Sequence, residues 1–189
     1  MKDRVREALF NLLGPRIEGK HAIDLFAGTG AVGLEALSRG AARATFVEQH
    51  HPTAAVLRQN IAALGVECLC EVVVGDVFRW AERLVRTKPA PQPQEITSAL
   101  STPTAVDNIG RATATPAWAV FCSPPYDYYV QRFQEMVNLL GALIAAAPEA
   151  SLFAVECDKR FDFCNLPDPS RWDVRIYSPA VIGIYQKGL

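Results

Sequence analysis

The chain has 189 residues, half of them apolar, with 19 Lys and Arg against 20 Asp and Glu. That size and apolar share fit one domain with a well-buried core. A net charge of −1 excludes a global basic field, so any RNA or DNA partner has to meet a local patch.

Taken in chain order, residues 4–13 place Val5, Leu9, Leu12 and Leu13 on one helical face, and Gly14-Pro15 stops that helix. Residues 21–26 read as a short buried strand running into a glycine turn. A helix over 32–39 follows, ended by Gly40. Residues 44–48 and 71–75 read as strands, and 52–64 and 78–86 as helices, the first of these two ended by Gly65. Residues 87–116, rich in Pro, Thr, Ser, Gln and Ala and lacking aromatic residues, read as a mobile insertion within a single domain spanning 1–189. Beyond it come a strand over 117–122, a helix over 130–147 and a strand over 151–156. The chain closes in a β-hairpin, 172–177 with 181–186. Strands alternating with helices imply an α/β fold: a mostly parallel seven-stranded sheet, helices on both faces, with an antiparallel C-terminal hairpin.

The cysteines (Cys68, Cys70, Cys122, Cys157 and Cys164) are odd in number, and Met1 to Glu7 carries no signal-peptide pattern. Reduced thiols in a cytoplasm are expected. Cys68-Leu69-Cys70 has the wrong spacing for a zinc knuckle and no second pair follows, so no metal is expected. The most apolar stretch, 136–147, is too short to cross a bilayer and reads as a core helix, so no membrane partner is expected.

Two stretches carry chemistry. Asp24-Leu25-Phe26-Ala27-Gly28-Thr29-Gly30 follows the first strand, and Gly28, Gly30 and Gly33 match G-x-G-x-x-G. That match alone fits a dinucleotide fold, or a tight turn with no ligand. Asp24 argues otherwise, because a carboxylate there would repel a pyrophosphate docking at the helix N-terminus. S-adenosylmethionine carries an ammonium and a sulfonium and no phosphate, and an anionic neighbour suits both. Glu48, at the end of the second strand, is then placed to accept from both ribose hydroxyls. Asp76 can accept from the adenine amine, with Phe26 and Val77 as apolar walls. A lone Asp after a strand also serves as a helix N-cap.

The second stretch, Ser123-Pro124-Pro125-Tyr126, follows the fourth predicted strand. An exocyclic amine on a nucleobase is a poor nucleophile and must be held in line with the methyl it attacks. The Ser123 oxygen and the Pro124 carbonyl can accept from its N–H groups. Tyr126 offers a face on which a base can stack, a contact worth ~1–3 kcal/mol. A base in a folded nucleic acid would have to be turned out to reach it. The bland alternative is that the prolines end a strand and Tyr126 covers the core edge. Tyr128 and Tyr129 read as the start of the next helix. Arg4, Arg6, Arg39, Arg43 and Arg58 form either a local RNA patch or ordinary solvated charge.

The run Asp3 to Asn11, then Asp24 to Gly30, then Gly33-Leu34-Glu35-Ala36-Leu37-Ser38-Arg39-Gly40-Ala41, closely resembles the bacterial 16S ribosomal RNA guanine-N2 methyltransferase family. Phe46-Val47-Glu48, Asn60 and the hairpin near Tyr177 to Tyr185 fit the same family, and the likeness covers nearly all of the chain outside 87–116. The resemblance implies a Rossmann-like, S-adenosylmethionine-dependent enzyme acting on a guanine of 16S ribosomal RNA in the small subunit or its assembly intermediate. By it, Asp24, Gly28, Gly30, Glu48 and Asp76 bind cofactor, and Ser123 to Tyr126 hold the base. A monomer is expected. The family usually has Asp where this chain has Ser123, a weaker and neutral acceptor. Its members usually begin with a basic segment and a β-hairpin, whereas this chain starts at the Asp3-Arg4 helix, so either the sequence is truncated there or RNA recognition is weakened. Two other readings stay open: an amino-group methyltransferase on adenine N6 or protein, and a cofactor-binding module with little catalysis.

Overall fold

The computed structural model describes residues 1–87 and 115–188. The insertion expected over 87–116 therefore lies outside the described residues except at its ends.

Seven strands form one sheet: β1 (His21–Asp24), β2 (Arg43–Glu48), β3 (Cys70–Val74), β4 (Trp118–Cys122), β5 (Leu152–Asp158), β6 (Asp173–Tyr177) and β7 (Ala180–Gln186). Their order is β3-β2-β1-β4-β5-β7-β6. The first five are parallel, while β7 pairs antiparallel with both β5 and β6. Helices α1 (Asp3–Leu13), α2 (Ala31–Ser38), α3 (His51–Leu64), α4 (Val77–Thr87), α5 (Tyr128–Gln131) and α6 (Phe133–Ala146) connect and cover the strands. This is the architecture expected from the alternation of elements. Boundaries move by one or two residues except at one place. The helix expected over 130–147 starts earlier and is broken at Arg132, whose backbone (φ −125°, ψ 34°) is not helical.

Neighbouring residues on each strand feed opposite faces, as the two-residue period of a strand dictates. On one side Val5, Leu9 and Phe10 of α1 and Leu57 of α3 pack against Ala22, Phe46 and Phe121. On the other, Leu140 and Leu143 of α6 pack against Ile23, Val120 and Phe153. A side chain as large as Phe46 or Phe121, buried to 1% exposure or less, contributes about 1.5–3 kcal/mol by leaving water. No helix among the described residues is long and apolar enough to cross a membrane.

The strand order reverses between β1 and β4, which leave the sheet side by side: the Leu25 N–H donates to the Phe121 carbonyl at 3.0 Å. In open parallel sheets the crevice at such a switch, beyond the carboxyl ends, is where ligands bind. Both informative stretches of the sequence emerge there.

Candidate active site

The glycine loop between β1 and α2 is built by three residues with different jobs. Gly30 is the N-cap of α2 at φ +91°, a conformation L side chains rarely adopt, and a Cβ on it would collide with Leu57. Gly33 lets α2 settle on β2, because a Cβ there would lie 2.9 Å from Phe46 Cζ. Gly28 faces the crevice, with its N–H donating to Glu48 Oε2 at 2.8 Å. Asn60 of α3 braces the loop by donating to the Thr29 carbonyl at 2.9 Å.

The crevice is a cleft of about 360 Å³. Phe26, Gly28, Glu48, Asp76 and Val77 line it, together with Ser123, Pro124, Tyr128 and Arg132. Five of the seven residues expected at the cofactor thus share one wall-to-wall space. The other two do not line it. Gly30 is turned into the helix cap, and Asp24 is buried beneath the loop (2% exposed), where Oδ2 accepts from the Gly33 N–H at 3.0 Å. Burial raises the Asp24 carboxyl to about 6, and the Gly33 N–H pulls it back only in part. Asp24, expected among the cofactor-binding residues, thus lies beneath the loop and lends it charge from below.

Glu48 is held by two backbone donors, Gly28 N–H on Oε2 and His50 N–H on Oε1, the latter at 2.7 Å. That grip fixes its carboxylate at the end of β2 with lone pairs left for further donors. Asp76 takes up the capping role open to it, since Oδ1 accepts from the Phe78 and Arg79 N–H groups at 3.0 Å. Its Oδ2 lies 3.8 Å from the Arg132 guanidinium, which also stands 4.0 Å over the Phe78 ring and pairs with Glu135 at 2.6 Å. These contacts account for the break in the helix at Arg132, a cleft residue that the sequence reading missed.

Across the cleft, Ser123 and Tyr126 converge on a second missed residue. Glu156 of β5 is 3% exposed, and it accepts from the Ser123 hydroxyl through Oε2 and from the Tyr126 hydroxyl through Oε1 at 2.9 Å. The Tyr129 hydroxyl donates to the Glu156 backbone carbonyl at 3.0 Å. An acid inside the apolar run Leu152-Phe153-Ala154-Val155-Glu156-Cys157 was the available signal.

Tyr126 does not line the first cleft. Its half-buried ring lines a second cavity, of about 460 Å³, with Lys2, Arg4, Val5 and the hairpin turn Tyr177 to Ala180. The tyrosine facing the first cleft is Tyr128, which begins α5, meets Phe26 edge-on at 5.9 Å between ring centroids and accepts from Gln49. The Pro125 and Tyr126 carbonyls accept from the Tyr128 and Tyr129 N–H groups, and the Pro124 carbonyl has no hydrogen-bond partner among the described residues. No group of three or more His, Cys, Asp or Glu residues among the described residues is arranged to hold a metal ion.

Comparisons with known proteins bear on the fold and on the sequence of the N-terminal part. The family model "Conserved hypothetical protein 95" matches residues 1–92. The Ribosomal RNA small subunit methyltransferase D of Escherichia coli is 53% identical over 62 residues, 33% of this chain and 31% of that protein. The chain spans less than half the length of the curated relatives it matches. Over 99% of this chain and 87% of the other, a solved Escherichia coli structure, the candidate methyltransferase yhhF, superposes with a TM-score of 0.66 at 28% identity. A Salinibacter ruber RNA methyltransferase solved with S-adenosyl-L-homocysteine shares the fold, at a TM-score of 0.56 and 14% identity over 99% of this chain and 92% of that one. The chain is thus similar in sequence, over its N-terminal part, to ribosomal RNA small subunit methyltransferases, and in fold, over nearly its whole length, to a solved candidate methyltransferase.

Proposed function

We propose that the chain is an S-adenosylmethionine-dependent methyltransferase that modifies the exocyclic N2 amine of a guanine in 16S ribosomal RNA, as a cytoplasmic monomer without a metal. The observation that carries this reading is the placement of Ser123 and Tyr126. One lines the cleft at the sheet's switch point, the other lines the adjoining cavity, and both bond to the same carboxylate.

The first cleft fits the cofactor by its chemistry. Glu48 and Asp76 present acceptors at the ends of β2 and β3, Phe26 and Val77 supply apolar walls, and the buried Asp24 adds negative potential suited to a cation. When bound, S-adenosylmethionine supplies an electrophilic methyl group on a sulfonium. Ser123 Oγ and the Pro124 carbonyl accept from the N–H groups of the acceptor amine and fix the direction of its lone pair. Tyr126 gives the base a face in the second cavity, where Lys2 and Arg4 provide charge for RNA phosphates. Positioning and charge supply the rate acceleration, and no strong general base is needed.

The test is methyl transfer from labelled cofactor to small ribosomal subunits lacking the modification, run beside duplex DNA and protein acceptors. Label in N2-methylguanosine of the small-subunit RNA supports the reading. Label in N6-methyladenine or in protein, or bound cofactor with no transfer, refutes it.

A further inference from the structure

The Glu156 carboxylate is buried in the sheet and stands there at a cost. A charge at 3% exposure in an apolar strand is retained only when its partners justify it. It accepts from the hydroxyls of Ser123 and Tyr126, one from each cavity, and the Met1 ammonium lies 3.8 Å from Oε2. Resting on the methyltransferase reading above, we propose that Glu156 is a positioning residue that commits Ser123 to act as a hydrogen-bond acceptor toward the substrate amine.

A serine hydroxyl has one hydrogen and two lone pairs, and left alone it rotates to suit whatever it meets. Facing an amine, it could donate to the nitrogen lone pair, which would block the very electrons that must attack the methyl group. A carboxylate can only accept. With its hydrogen held on Glu156 Oε2, Ser123 has only lone pairs left for the amine's N–H. A hydroxyl that donates to an anion is also a stronger acceptor, because the bonds in such a chain polarise one another. Glu156 thereby delivers through Ser123 the anionic character that stabilises positive charge developing on the attacked nitrogen. The same carboxylate fixes Tyr126, whose phenol is held above its usual range by burial and by this hydrogen bond, so it stays a donor and its ring keeps one orientation.

The experiment compares Glu156→Gln, Ser123→Ala, Ser123→Asp and the doubles Glu156→Gln/Ser123→Ala and Glu156→Gln/Ser123→Asp in four readouts: thermal unfolding, cofactor affinity by calorimetry, kcat and KM for methyl transfer, and ultraviolet titration of Tyr126 against a Tyr126→Phe reference. Glutamine keeps the shape but brings a donor to face one of the two hydroxyls. For Glu156→Gln, kcat is expected to fall by about 10²-fold, the scale of losing one preorganised charge-stabilising contact, with cofactor affinity unchanged. Ser123→Ala should cost about the same, and combining the two should add little, since they act as one unit. Ser123→Asp should lower activity in the native background, where two carboxylates meet. In the Glu156→Gln background it should raise kcat at least tenfold by restoring an anion.

Full kcat in Glu156→Gln, additive losses in the Ala double, or no recovery with Ser123→Asp would each overturn the proposal. Tyr126 ionising alike in the native chain and in Glu156→Gln overturns it however the transfer assay falls. A native chain that binds cofactor but methylates no acceptor instead refutes the function proposed above.

Discussion

Asp24→Asn should change how the stability of this protein depends on pH, and the size of the change follows from burial. In the folded chain the Asp24 carboxyl is raised from 3.8 to about 6, mainly by desolvation, with the Gly33 N–H opposing. Well below 3.8 the group is protonated in both folded and unfolded chains and costs nothing. As pH rises towards 6 the unfolded chain ionises first, so the folded state loses stability, and above 6 the loss is complete. Two pK units correspond to roughly 3 kcal/mol. Asparagine does not titrate, and whatever its amide costs or gains at this site is the same at every pH. The stability of the native chain relative to Asp24→Asn should therefore fall by about 2 kcal/mol between pH 4 and pH 7, read from urea unfolding at four or five pH values. A pH-independent difference, or native stability rising relative to the variant over that window, would refute the argument that Asp24 is a desolvated carboxylate beneath the loop.

Three further outcomes are expected. Glu48→Gln leaves one of its two backbone donors facing an amide NH2, and a hydrogen bond to a charged group is worth about 1.5–3 kcal/mol; calorimetry should show cofactor affinity reduced tenfold or more, and the thermal midpoint should fall by about 2–4 °C for each kcal/mol lost. Gly183→Ala puts a Cβ against the Phe163 ring, within 2.7 Å of Cδ1, at a position that does not line the cleft; unfolding should show a loss of about 1–3 kcal/mol, typical of overpacking, with cofactor affinity intact. Asn60→Ala removes the brace on the Thr29 carbonyl; cofactor affinity should drop while α3, ended by Gly65 at φ +65°, stays formed by circular dichroism.

The order of elements was legible because each helix and strand carries its own punctuation. Gly14-Pro15, Gly40 and Gly65 mark helix ends, and short apolar runs mark strands that are buried on both faces. The break at Arg132 was not legible, because the apolar period runs through it; the cause is a guanidinium drawn to Phe78, Asp76 and Glu135, which only the packed structure brings together. In the site, the glycines, Glu48 and the Ser123 turn stand out by spacing. Which of Tyr126, Tyr128 and Tyr129 faces which cavity depends on how the turn after β4 enters α5, and spacing alone does not say. Glu156 was hidden for a different reason: its partners lie far back along the chain, in the turn that follows β4, and a lone acid in a strand names no partner.

Central to all of this is a methyl donor seated in the cleft at the β1–β4 switch and directed at Ser123. A crystal structure with S-adenosyl-L-homocysteine tests it most directly. The ligand is expected between Phe26, Glu48, Asp76 and Val77, its sulfur toward Ser123 and its ribose on Glu48. A ligand bound outside that cleft, or bound with its sulfur turned away from Ser123, would contradict it.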